Sequence, residues 1–194
     1  KTTSVGAFDV INKTKVFSSV DKAVEEFNIV ISLSARKRDI NKKNINFKDL
    51  YELLNTRKNL KFGFMFGPEA SGLSNYDLSF SNYILQIPTS KKFKSLNLSH
   101  SVTIICFEIF KLLNGAFFKK KSKNLKVSSK KKVNSFTNHL TNLLEKKGFF
   151  VPMEKKKSML LNINNLIYRL EPNDKELRIL SSIISTLSKK TSKP

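Results

Sequence analysis

The chain is poor in the residues that build most metal and covalent chemistry. It holds one cysteine, Cys106, and two well-separated histidines, His100 and His139, in 194 residues. A lone thiol has no disulfide partner within the chain, and this spacing offers neither a zinc cluster nor a Cys/His dyad. Metal and covalent catalysis are therefore not expected. Tryptophan is absent, and no apolar run approaches the roughly 20 residues needed to cross a bilayer. No apolar signal segment opens the sequence, so a cytosolic protein without a membrane partner is expected.

Acidic residues are also scarce. Fifteen Asp and Glu stand against 36 Lys and Arg, a formal net charge of +21. That imbalance attracts polyanions and releases counterions on binding, which makes nucleic acid the leading partner. The competing explanation is compositional, because abundant Lys, Asn, Ile and Phe is what a codon bias produces without selection for binding. With 40% hydrophobic residues the chain can bury a real core, and one domain plus an appendage is expected.

Along the chain, TKVFSSV reads as a short strand, and DKAVEEFN as a helix capped by Asp21 with Ala23, Val24 and Phe27 on one face. NIVISLSA reads as a buried strand and ARKRDINKKN as a charged turn. FKDLYELLNTRK is a helix by the spacing of Leu50, Leu53 and Leu54; KFGFMFG and YILQIP are strands. LNLSHSVTIICFEIFKLLNG is a long apolar helix stopped by Asn114 and Gly115, with Cys106 a packed core thiol. Strands alternating with helices predict an α/β fold with a parallel sheet, whose ligands gather at the carboxyl ends of the strands.

Composition then shifts. Lys119 to Lys132 holds eight lysines in fourteen residues and no acid, the pattern of a linker or an RNA-binding arm. Three helical faces follow: Phe136, Leu140, Leu143 and Leu144; then Leu160, Ile163, Leu166, Ile167 and Leu170; then Leu177, Leu180, Ile184 and Leu187. Asn173 and Asp174 are candidate caps for the last. The expected organisation is a first domain over residues 1–117, a linker over 118–132 and an all-helical extension over 133–194.

Two stretches carry chemistry. In FGPEASGLSN the glycines permit a tight turn and Pro68 stiffens it, while Glu69 sets a carboxylate where a strand ends. In PTSKKFKSLNLS, Ser95 and Asn97 stand at a helix start, able to cap free backbone N–H groups or to orient a substrate hydroxyl. Either stretch alone is explained by turn and cap formation. Together, in this order and with a strand between them, they are far more specific.

The pair resembles the late motifs of the SpoU/TrmH family of SPOUT-class RNA 2′-O-methyltransferases, a GxExxGL loop and an IPxxxxxxSLNLxxAV segment. The resemblance extends to GAFDVINKTKVFSSVDKAVEEFNIVISLSARKRD and to YRLEPNDKELRILSSIIS, which are similar to the TrmJ branch, the tRNA anticodon-loop ribose methyltransferases. It implies a trefoil-knotted sheet that binds S-adenosylmethionine through Leu33, Ser34, Phe66, Gly67, Ile87, Ser95, Leu96 and Leu98. Glu69, Ser95 and Asn97 match active-site positions. Arg36 and Arg38, with Lys119, Lys120, Lys121, Lys130, Lys131 and Lys132, are the candidate RNA contacts, and a solvated turn and tether are the bland reading of both groups. No metal is implied, and His100 is assigned to helix packing.

The resemblance further implies a homodimer acting on tRNA cytidine or uridine, with a ribosomal RNA methyltransferase or a catalytically silent RNA-binding protein as alternatives. One departure stands out: the family's early N-x-G-x-x-x-R motif does not occur in this sequence. Because TTSVGAFDVI reads as the middle of a fold, the expectation is that a first strand and helix precede Lys1 and that this stretch alone lacks activity.

Overall fold

The run IVISL is apolar without helical spacing, and it forms β1 (Ile29–Leu33) at the centre of the molecule. The computed structural model describes residues 6–35, 40–90, 92, 95–114 and 126–188. Two short helices, α1 (Phe8–Asn12) and α2 (Val20–Val24), precede β1. Then come β2 (Lys43–Ile45), α3 (Phe47–Thr56), β3 (Phe62–Met65), α4 (Asn75–Ser79), β4 (Tyr83–Leu85) and α5 (Leu98–Asn114). The chain continues through α6 (Lys130–Lys146), α7 (Lys156–Leu170) and α8 (Asp174–Ser188).

The four strands pair in the order β2-β4-β1-β3, all parallel. The last of the described strands, β4, is thus inserted between β1 and β2. Alternation along β1 sends Ile29 and Ile31 to one face, where they pack with Leu50 of α3, Leu85 and Ile105 of α5. Val30 faces the other way, into a cluster with Val24, Phe80, Val133, Phe136, Ile167, Tyr168 and Leu177.

The three C-terminal helices cover one face of the sheet and share its core. Backbone bonds fasten the join: Lys130 N–H donates to Phe27 O at 2.8 Å, Lys131 N–H to Glu25 O at 3.0 Å and Ser128 N–H to Pro172 O at 2.9 Å. Asn28 Nδ2 donates to Val127 O at 2.7 Å. Helix α6 opens at Lys130, inside the stretch read as linker, and Lys130 is 1% exposed rather than turned toward RNA.

Other expectations need correction. TKVFSSV is not a strand; Val16 in it is 96% exposed. The end of the charged turn opens β2, which a pattern of apolar residues does not reveal because only Ile45 of its three residues is buried. Ser19, not Asp21, occupies the position before α2. Cys106 and His100 both lie exposed on α5 rather than packed, while Ile105 turns inward.

Helix ends follow local chemistry. Asn46 and Asp49 form a reciprocal capping box on α3, and Ser74 and Asp77 form one on α4. Asn173 caps α8 as expected, its Oδ1 accepting from Lys175 N–H at 2.9 Å and Glu176 N–H at 3.0 Å. Asp174 instead ties α8 to the start of α6, accepting from Ser128 Oγ and Lys132 Nζ, each at 2.5 Å. Among the described residues, no helix is long and apolar enough to cross a membrane.

Candidate active site

Parallel strands bring their carboxyl ends to one edge of the sheet, and a cavity of about 750 Å³ opens there. Ser34 N–H donates to Leu85 O at 3.3 Å, carrying the ladder past β1, and Gln86 Nε2 reaches Ala35 O at 3.4 Å. The ends of β1 and β4 are thereby tied together beneath the cavity.

The FGPEASGLSN loop forms one wall. Gly72 takes a positive φ of 67° and its N–H donates to Pro68 O at 2.7 Å, closing a tight turn. A Cβ on Gly67 would lie 2.3 Å from the carbonyl carbon of Gly72 and from Leu73 N, so the two sides of the loop touch backbone to backbone. Leu73, 5% exposed, anchors the loop against Leu78 and Ile84. The capping box of α4 then fixes the exit, which leaves Glu69 exposed at the top of a rigid turn.

The start of α5 forms the facing wall. Asn97 Oδ1 accepts from Ser99 N–H at 2.8 Å and from Ser99 Oγ at 2.6 Å. With its oxygen so engaged, the amide must present its nitrogen outward, and Nδ2 donates to Glu69 Oε1 at 2.5 Å. The backbone carbonyl of Asn97 accepts from Ser101 N–H at 3.0 Å and Oγ at 3.1 Å. The two motifs thus meet in one hydrogen bond.

Leu33, Ser34, Phe66, Gly67, Ile87, Ser95, Leu96 and Leu98 all line this cavity, as do Glu69 and Leu85. Asn97 stands at its rim through Glu69. Sequence reasoning missed Gln86, Thr89, Ser90 and Ser101, which also line it; their signal was their place in and after the QIPTS and SLNLS segments. Arg36, Arg38, Lys119, Lys120 and Lys121 lie outside the described residues. Lys131 and Lys132 are exposed at the start of α6. Among the described residues no group of three or more His, Cys, Asp and Glu is gathered to hold a metal.

The lining suits a mixed ligand. Its walls are apolar side chains, hydroxyls and strand-end backbone, with Glu69 the one acidic or basic side chain among the described lining residues. An apolar cleft with a single carboxylate accommodates a flat heterocycle and a cationic centre better than a polyanion.

Comparison with known proteins identifies the family and the fold. The SpoU rRNA Methylase family profile matches residues 1–107. The tRNA (cytidine/uridine-2'-O-)-methyltransferase TrmJ of Photorhabdus laumondii is 29% identical over 189 residues, covering 96% of this chain and 78% of that protein. The tRNA (cytidine-2'-O-)-methyltransferase TrmJ of Methanocaldococcus jannaschii is 33% identical over 111 residues, 55% of this chain and 47% of that one. The crystal structure of TrmJ from Z. mobilis ZM4 superposes with a TM-score of 0.82 at 26% identity, over 95% of this chain and 78% of that one. The parallel sheet and the helical C-terminal region therefore share one known fold, and the chain belongs to the SpoU rRNA methylase family.

Proposed function

We propose that the protein is an S-adenosylmethionine-dependent tRNA ribose 2′-O-methyltransferase of the TrmJ type, acting in the cytoplasm on cytidine or uridine of the anticodon loop. The observation that carries this reading is the convergence of two distant sequence stretches on one cavity, joined by the bond from Asn97 to Glu69. S-adenosylmethionine would supply a methyl group on a positively charged sulfur. Leu33, Phe66, Ile87, Leu96 and Leu98 would hold its apolar parts, with Ser34, Gly67 and Ser95 offering polar atoms at the strand ends.

A ribose 2′-hydroxyl is a weak nucleophile while it keeps its proton, so the protein must align it and ease proton loss. Ser95, exposed at the cavity wall, presents a hydroxyl to that ribose. Asn97 holds Glu69 in place, and Glu69 in turn offers a carboxylate edge to organise a basic partner or the departing proton. Lys131 and Lys132, with the lysine-rich stretch before them, add phosphate contacts that raise affinity without reading sequence.

A second copy of the chain completes this reading. Helix α5 begins at the cavity and leaves Val102, Cys106, Phe107, Phe110 and Leu113 exposed along its length; Phe110 is 63% and Leu113 78% exposed. Such a continuous apolar stripe beside the site is a surface for a symmetric partner. The test incubates full-length protein with labelled methyl donor and, separately, tRNA and ribosomal RNA. Label is expected at the ribose of a tRNA pyrimidine. Label in ribosomal RNA alone would overturn the tRNA assignment, and tight tRNA binding without transfer would leave a silent binder.

A further inference from the structure

Where the tail helices meet the amino ends of the strands lie two buried lysines that do not line the cavity. Lys42, just before β2, is 6% exposed and Lys130, opening α6, is 1% exposed. Lys42 Nζ donates to the carbonyls of Ser79 at 3.0 Å and Ser81 at 2.6 Å, and stands 5.6 Å from the centroid of the Tyr168 ring. Lys130 Nζ stands 4.5 Å from the same centroid. Tyr168 is fully buried on α7 and fixed at both ends: its hydroxyl donates to Asn134 Oδ1, and its carbonyl accepts from Asn82 Nδ2 at 2.9 Å. One ring thus collects two amines, one from the sheet and one from the tail.

Two like charges brought to one dry site oppose each other, and burial penalises both. The groups around them divide. Arg169 on α7 adds repulsion at Lys42, whereas Glu171 at the end of α7 favours charge on Lys130, though its carboxylate is paired with Arg57. Asp21 of α2, Glu25 just after it and Tyr76 from α4 act on Tyr168. Burial, then Lys130, then Arg169 bring Lys42 down to about 7; burial brings Lys130 to about 7 against the pull of Glu171.

We propose that Lys42, Tyr168 and Lys130 form a proton-sensitive clasp between the tail helices and the sheet, closed when the amines are neutral and loosened when they are charged. A lysine freed from the clasp titrates near 10.5. Between about 7 and 10.5 the loosened state therefore binds more protons than the closed one, and the closed state gains stability as pH rises through that window. Below it both states are protonated and the dependence flattens. Contact with the ring face offsets only part of the charge penalty.

The test uses the full-length protein, independently of any methyl transfer. Nitrogen-edited NMR of the lysine amines is expected to show Lys42 and Lys130 titrating well below the other lysines. Urea denaturation from about pH 6 to about pH 10 should give a midpoint that rises with pH in the parent and is nearly flat in the Lys42→Met/Lys130→Met double variant. Protease cleavage within the tail should quicken toward low pH in the parent only. Parallel pH curves for parent and double variant, or ordinary titration of both amines, would overturn the clasp. If the double variant does not fold, the NMR titration of the parent decides alone.

Discussion

The two ends of the sheet use the same residue type to opposite effect. Asn82, at the amino end of β4, is 1% exposed and closes on backbone at both ends of its amide: Oδ1 accepts from Val30 N–H at 2.9 Å and Nδ2 donates to Tyr168 O at 2.9 Å. Asn97, at the carboxyl end, is exposed and directs one end to the Ser99 N–H and hydroxyl and the other to a carboxylate at a cavity rim. A buried amide satisfied by main chain specifies packing. An exposed amide that holds an acidic side chain beside open space specifies where a ligand is met. Burial and partner type, rather than the residue, separate the structural end from the functional one.

The largest effect should come at the functional end. Asn97→Ala should lower methyl transfer by about a hundredfold by releasing Glu69 from its position, with donor binding in equilibrium dialysis changed far less. Equal loss of both would mean that Asn97 holds the donor. Next, Asn82→Ala should lower the unfolding free energy by about 2–3 kcal/mol, since Val30 N–H is left buried without its acceptor. Transfer per folded molecule should be unchanged; a drop as deep as that of Asn97→Ala would merge the two ends into one site.

Smaller changes sharpen the contrast. Asn173→Ala removes the cap of α8 and should reduce stability by about 1 kcal/mol in the same denaturation assay. Lys132→Ala breaks an exposed pair with Asp174 and should alter stability by less than about 0.5 kcal/mol. It should nevertheless weaken tRNA binding and flatten its salt dependence by about one charge, read by filter binding at two salt concentrations. No change in that slope would remove the start of α6 from the RNA surface.

How much of this was legible depended on whether a feature is local. The Asn173 cap, β1, β3, β4 and α3 follow from neighbours in sequence: a capping residue before a helical pattern, an uninterrupted apolar run or leucines at helical spacing. The cavity became legible only through the pairing of GPEASGL with SLNLS, because neither loop alone says which strands it will adjoin. Periodicity failed on α5, which is apolar nearly all round, so it could not tell inward Ile105 from outward Cys106 and Phe107. It found that the tail helices have apolar faces but not that Val133, Ile167 and Tyr168 would meet Val30 and Phe80 of the sheet side. Strand β2 escaped because its stability comes from pairing with β4 rather than from its own composition.

The contact between Gly67 and Gly72 has a consequence for how this loop can vary. Since any side chain at position 67 would occupy space already filled by the opposite limb's main chain, no single replacement there is open to drift. Change would require the opposite limb to move first, whereas Ser71 and Ser90, exposed residues that border the same cavity without that constraint, are open to change. A mutational library aimed at altering ligand choice should hold residue 67 constant and sample those neighbours.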